Sequence, residues 1–217
     1  MSDPRSPDRD RPQRTAAQSS LLSDRLRRTR ERRAEPTGRP ATIPRRRVDE
    51  PIPLSSAQER LWFLDRLQRG SALFNIGRAL RLRGSLSVRD LARSLTLIVS
   101  RHEALRTAFP AAAGAPRQEI VPAPSRWLLP VVDLTRLEAP DRETEAADLA
   151  RREAARPLDL ERPPLLRTRL VRLAAVPDAE HELLLTVHHL VFDGWSLGVL
   201  LRELGAAGRG EELPPLP

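Results

Sequence analysis

The sequence predicts an α/β fold: a sandwich of helices and mixed strands. Three observations carry that expectation. Helix-type and strand-type hydrophobic periodicities alternate along the chain after about residue 50. With 217 residues and 40% hydrophobic content there is material for one ordinary domain with a core of its own. Two long apolar runs near the C-terminus are separated only by a short polar turn, which favours an antiparallel pair, since a parallel return needs a longer crossover.

The elements follow in order. Residues 1–50 carry Pro, Ser and Arg in place of periodic hydrophobes, and read as a disordered leader with one possible short basic helix over 19–35, a docking element for a partner, and a proline-stiffened linker after it. The body opens with SSAQERLWFLDRLQ, where Ser55 and Gln58 stand at capping-box spacing ahead of Leu61, Leu64 and Leu67, so a helix begins here. Residues 74–84 read as a strand ending at Gly84, and 87–105 as a long helix with Ser87 and Asp90 at its start. RTAF, RQEIV and LLPVVDL read as short strands. RETEAADLARREAARP reads as a helix stopped by Pro157. Residues 164–174 and 180–192 read as the antiparallel pair, and 194–207 as the last helix.

Composition excludes several classes. All 37 basic residues are arginine; 14 of them, against 8 acids, lie in residues 1–50, so the body is close to neutral and a nucleic-acid-binding face on it is not expected. The chain has no cysteine, which excludes disulfide scaffolds and Cys-ligated zinc and favours a cytoplasmic setting. No apolar run approaches a membrane span, and the charged N-terminus lacks a signal-type core.

Chemistry concentrates in VHHLVFDGWS, residues 187–196, which holds two of the four histidines. On an extended strand, Leu183, Leu185, Val187 and His189 share one side while Leu184, Thr186 and His188 share the other, so the two imidazoles cannot do the same job. Asp193 and Gly194 fall where the strand must turn into a helix. There Asp can cap, and Gly permits a positive φ or a close backbone approach. Spacing alone leaves two readings open: a presented imidazole beside a helix N-terminus, or two core histidines and a simple N-cap.

Three further motifs weigh in. SSAQERLWFLDRL (55–67), RHEALRTAF (101–109), RPLDLERPPLLRTRLVRL (156–173) and VHHLVFDGWS occur in the order and spacing of the condensation domain of nonribosomal peptide synthetases, a member of the chloramphenicol acetyltransferase-like superfamily, which the chain resembles over residues 51–217. That resemblance implies a chloramphenicol acetyltransferase-like two-layer sandwich lobe, with helices on a mixed, largely antiparallel sheet and the second lobe of such a domain absent. It also implies that His189 is the active-site histidine of an HHxxxDG motif, that His188 faces the core or a channel wall, and that Asp193 is structural, held by an arginine salt bridge with Arg106 as its partner. Gly194 would bring a backbone N–H near the reacting carbonyl, with Trp195 and Ser196 supporting the site by packing.

The implied reaction is acyl transfer that forms an amide between a donor acyl thioester and an acceptor aminoacyl thioester. Both substrates ride on the 4'-phosphopantetheine of peptidyl or aminoacyl carrier proteins. No metal or directly bound cofactor is implied, and His189 would serve either as base or to position the amine. Further partners are a second chain supplying the other lobe, or an upstream synthetase subunit reached through the leader. Two alternatives stay open: a stand-alone acyltransferase using coenzyme A or a carrier, and a catalytically inactive interaction module.

Overall fold

A computed structural model describes residues 52–112 and 115–216. The leader expected over 1–50 and its docking helix lie outside the described residues.

Helix α1 (Ser56–Leu67) starts where the capping-box spacing places it. The Gln58 N–H donates to Ser55 Oγ at 3.3 Å and the Ser55 N–H donates to Gln58 Oε1 at 3.0 Å. Strand β1 (Asn75–Arg83) leads to helix α2 (Val88–Arg101), where the Ser87 hydroxyl accepts from the Asp90 N–H and Leu91, Leu95, Ile98 and Val99 form a buried stripe at helical spacing. The long helix expected over 87–105 is broken at His102. That residue is extended, its N–H closes on the Ile98 carbonyl, and a 3-10 turn (Glu103–Arg106) follows.

Strand β2 (Thr107–Ala108) pairs with β5 (Glu119–Ile120), and between them lies a hairpin, β3 (Ala111–Ala112) with β4 (Ala115–Pro116). Then come β6 (Val131–Asp133), helix α3 (Ala139–Ala155), β7 (Leu166–Ala174), β8 (Glu180–His188) and helix α4 (Gly194–Gly208). The main sheet has the order β1-β8-β7-β6. Its β1–β8 and β8–β7 pairs are antiparallel and only the short β6 runs parallel to β7, so the sheet is mixed and largely antiparallel.

Strand β8 sits between two long partners and is buried along nearly its whole length. Leu183, Leu185 and Val187 pack with Leu95, Ile98 and Leu200 on one face. Leu184 packs with Leu134, Ala146 and Leu173 on the other, beneath α3. The sheet therefore carries helices on both faces, and α3 adds a layer to the sandwich that periodicity alone suggests. Each fully buried Leu contributes about 1.5–3 kcal/mol of transfer free energy, so β8 is among the hardest elements to displace.

The α3–β1 contact is unusually close. Asn75 Nδ2 donates to the Ala154 and Arg156 carbonyls at 2.9 and 2.8 Å, which satisfies carbonyls that the helix end leaves open. Two residues on, Gly77 lies so near α3 that a Cβ on it would stand 2.7 Å from Ala154 Cβ. Gly77→Ala is expected to lower unfolding free energy by about 1–3 kcal/mol through this overpacking, measured by urea denaturation; an unchanged midpoint would show that α3 moves aside freely.

Candidate active site

Burial of β8 decides what the two histidines can do. The strand ends at His188, and His189 falls in the turn that follows instead of continuing the strand. His188 is 2% exposed and sealed against the interior, whereas His189 is exposed. The end of the strand thus keeps the His188 ring inside, and the turn that follows, not strand alternation, brings His189 to solvent.

Each ring is held by the backbone of the same turn. His189 Nδ1 lies 2.9 Å from the Phe192 carbonyl oxygen. A carbonyl only accepts, so Nδ1 carries the proton and the neutral ring keeps its lone pair at Nε2. The His189 N–H donates to the Phe74 carbonyl at 2.8 Å, which ties the turn to the chain entering β1. In His188 the roles reverse: Nδ1 accepts from the Leu190 N–H at 3.1 Å, and Nε2 faces Asp65 Oδ1 at 3.5 Å. Burial pushes the His188 ring below the ordinary imidazole value, against the opposing pull of Asp65 and with a smaller contribution from neighbouring His189.

Asp193 is the N-cap of α4. Its Oδ1 accepts from the Ser196 N–H at 2.8 Å and the Ser196 hydroxyl at 2.7 Å, and these bonds hold its carboxyl below the usual range. The expected salt bridge to Arg106 is not formed. Arg106 instead donates to the Val121 carbonyl at 2.6 Å and reaches Glu103 at 3.4 Å, because the 3-10 turn directs it toward β5; among the described residues Asp193 has no ion pair. Ser196 supports the cap as expected.

Gly194 is the first residue of α4. It does not have the positive φ that the sequence allowed for, but open space surrounds the position of its missing Cβ. Trp195 departs further from expectation: it is 82% exposed and packs into no core, since the first turn of α4 projects it away from the sheet.

Beside this turn is a cleft of about 260 Å³ lined by His102, Leu105, Phe192, Trp195, Ser196 and Val199. Its wall is fixed by the second motif. His102 Nε2 stands 2.6 Å from Glu203 Oε2, and Arg101 Nε donates to the other oxygen of Glu203 at 3.3 Å, pinning α4 to the end of α2. A second hollow of about 400 Å³ lies where Asp65, Arg69 and Ser71 face Pro157 and Asp159. Asp65, Glu203 and the Phe192 carbonyl were not singled out from the sequence. The two acids belong to no pattern that the sequence marks out, and a backbone carbonyl has no sequence signature.

Comparisons with known proteins place the chain in a family. The profile of the Condensation domain family matches residues 48–217. A protein of the linear gramicidin synthase of Brevibacillus parabrevis is 43% identical over 209 residues, covering 94% of this chain and 3% of that protein. Phosphinothricin tripeptide synthetase PhsC of Streptomyces viridochromogenes is 43% identical over 210 residues, covering 92% of this chain and 18% of its own length. Among solved structures, the first condensation domain of the calcium-dependent antibiotic synthetase, in complex with a substrate analogue, superposes with a TM-score of 0.68 at 31% identity, covering 78% of this chain and 40% of that one. The chain therefore spans a small part of these curated relatives and under half of the solved domain.

Buried imidazoles make stability depend on pH. His181, its Nδ1 buried without a partner, is held below the ordinary value by burial and then by Arg172, with Asp133 opposing; His188 is lowered as described. A depressed folded-state pKa means that the unfolded chain binds protons first. The associated stability is thus whole above about pH 6.5 and is lost as pH falls from there through the lower folded values. The thermal midpoint, followed by circular dichroism, is expected to fall between about pH 7.5 and 5.5, and His181→Leu to lessen the fall; an equal fall in that variant would exonerate His181.

Proposed function

Because this chain belongs to the condensation domain family, we propose that it contributes the reactive histidine of an amide-forming acyl transfer between two carrier-borne thioesters. One observation supports this reading above the others: His189 is exposed, its Nδ1 is committed to the Phe192 carbonyl, and its Nε2 is left as an acceptor beside the first turn of α4. That is the arrangement an imidazole needs to receive a proton, or a hydrogen bond, from an attacking amine.

In the proposed reaction the acceptor's amine nitrogen attacks the donor's thioester carbonyl. The nitrogen's proton passes to His189 Nε2, the carbon–sulfur bond breaks, and the imidazolium returns that proton to the departing sulfur, so that the donor phosphopantetheine leaves as its thiol and the ring is neutral again. Negative charge gathers on the carbonyl oxygen during attack. The N–H at the start of α4 is a natural donor to it, because a helix leaves its first amides unpaired and Asp193 is occupied with Ser196. The bare α-carbon of Gly194 lets a tethered substrate approach that N–H. The adjacent cleft, with Leu105, Phe192 and Val199 in its lining, offers an apolar surface for a substrate side chain. Holding both tethered reactants in one orientation supplies much of the acceleration. Carrier proteins bearing phosphopantetheine are accordingly the proposed partners, and residues 51–217 the proposed N-terminal lobe of the domain.

His189→Ala is expected to slow formation of the amide-linked product on the acceptor carrier by about 10²–10⁴-fold. The assay offers paired carrier proteins loaded with acyl and aminoacyl groups to the chain joined to the portion of a condensation domain that it does not span. Undiminished product would overturn the reading. Gly194→Ala should leave the melting temperature unchanged while slowing the same reaction, which separates crowding of the substrate from damage to the fold.

A further inference from the structure

We propose that Asp65 and Gln58, on helix α1, are positioning residues that clamp the backbone of Leu190 and thereby aim His189. This rests on the reading of His189 given above. Leu190 directly follows the reactive imidazole, and both of its backbone polar groups are taken by α1, one directly and one through the His188 ring. Its carbonyl accepts from Gln58 Nε2 at 3.3 Å. Its N–H donates to His188 Nδ1 at 3.1 Å, and the opposite nitrogen of that ring faces Asp65 Oδ1 at 3.5 Å.

The chemistry of the chain fixes the proton positions. Because His188 Nδ1 accepts, its proton sits on Nε2, where a carboxylate is the complementary partner. Asp65 therefore selects the tautomer that can hold Leu190. Burial favours the neutral form of the ring, which keeps Nδ1 available to accept. Gln58 and Asp65 are seven residues apart, two turns of one helix, and so lie on one face. The Leu190 side chain is buried in the cluster against which Leu61 and Trp62 of the same helix pack. Gln58 is itself oriented by the Ser55 cap, so the opening motif acts as a unit: Ser55 sets Gln58, Gln58 and Asp65 set Leu190, and Leu190 sets the turn. A solvated face would leave these side chains to water. Asp65 has only 20% of its side chain exposed.

The test uses the uniformly ¹⁵N-labelled chain and needs no turnover. Above pH 7.5, long-range ¹H–¹⁵N correlation should show His188 protonated at Nε2 and His189 at Nδ1. In Asp65→Leu the His189 ring is expected to become a mixture of tautomers, and the Leu190 amide to exchange with solvent about tenfold faster, while amides in β7 such as Leu170 keep their protection. Asp65→Asn, which retains an accepting oxygen, should preserve both tautomers. Asp65→Ser disturbs the helix less and is too short to reach the ring; it is read identically where the leucine variant fails to fold.

Unchanged tautomers and Leu190 exchange in the leucine or serine variant overturn the proposal, as does acceleration shared equally by Leu170, which marks general loosening. In the carrier-protein assay Asp65→Ser should lower kcat about tenfold with KM unchanged. Undiminished kcat there overturns the clamp while leaving the His189 result standing, and an active His189→Ala protein overturns the function while leaving the tautomer result standing.

Discussion

Strand β8 cannot move without dismantling the core, and the site inherits its geometry from that constraint. With long partners on both edges and helices over both faces, β8 fixes His188 as its last residue. The chain then has only residues 189–193 in which to leave the sheet and start α4. A connection that short satisfies its own polar groups locally. The Phe192 carbonyl turns back to His189, the Leu190 amide to His188, and the Asp193 carboxylate to Ser196. The His189 ring is thus held by backbone, and the backbone by a strand that is nearly immovable.

Much of this was legible in the sequence because it depends on period. The capping residues at 55, 87 and 193 stand at fixed offsets before apolar stripes, and each forms the bond that its offset implies. Alternation placed the two histidines on opposite faces of one strand, but β8 ends at His188 and it is the turn after it that exposes His189. What was not legible depends on contacts distant in sequence or on backbone atoms. The family resemblance implied Arg106 as a partner for Asp193, but a 3-10 turn sends it to the Val121 carbonyl. It also implied packing for Trp195, which is exposed at the first turn of α4. The β3–β4 hairpin has two residues per strand, too few for any period to register.

Arginine, the only basic residue type in this chain besides histidine, works differently inside the domain than its abundance suggests. Glu153, 8% exposed, is met by Arg167 at 2.9 Å and Arg169 at 2.8 Å, and Arg167 also reaches the Glu153 and Arg156 carbonyls. Lysine, with one compact ammonium, could not occupy three acceptors of a helix end from one planar group. Arg101 does the same between Glu203 and the Pro214 carbonyl, joining the last helix and the segment after it to the end of α2. These are buried, multiply bonded pairs whose loss would leave an unmatched charge, so they specify arrangement more than they add stability.

The pairing of β1 with β8 has a consequence for how the protein is made. Asn75 is registered against His188, more than a hundred residues later. On the ribosome β1 therefore waits on the order of ten seconds for its neighbour, at ordinary elongation rates. Throughout that wait it presents an unmatched edge, and the arginines at 78, 81 and 83 along it supply like-charge repulsion that discourages nascent chains from pairing with one another. The turn over 189–193 consequently takes shape only after β8 has been made, and a chain cut before Glu180 would lack its central strand.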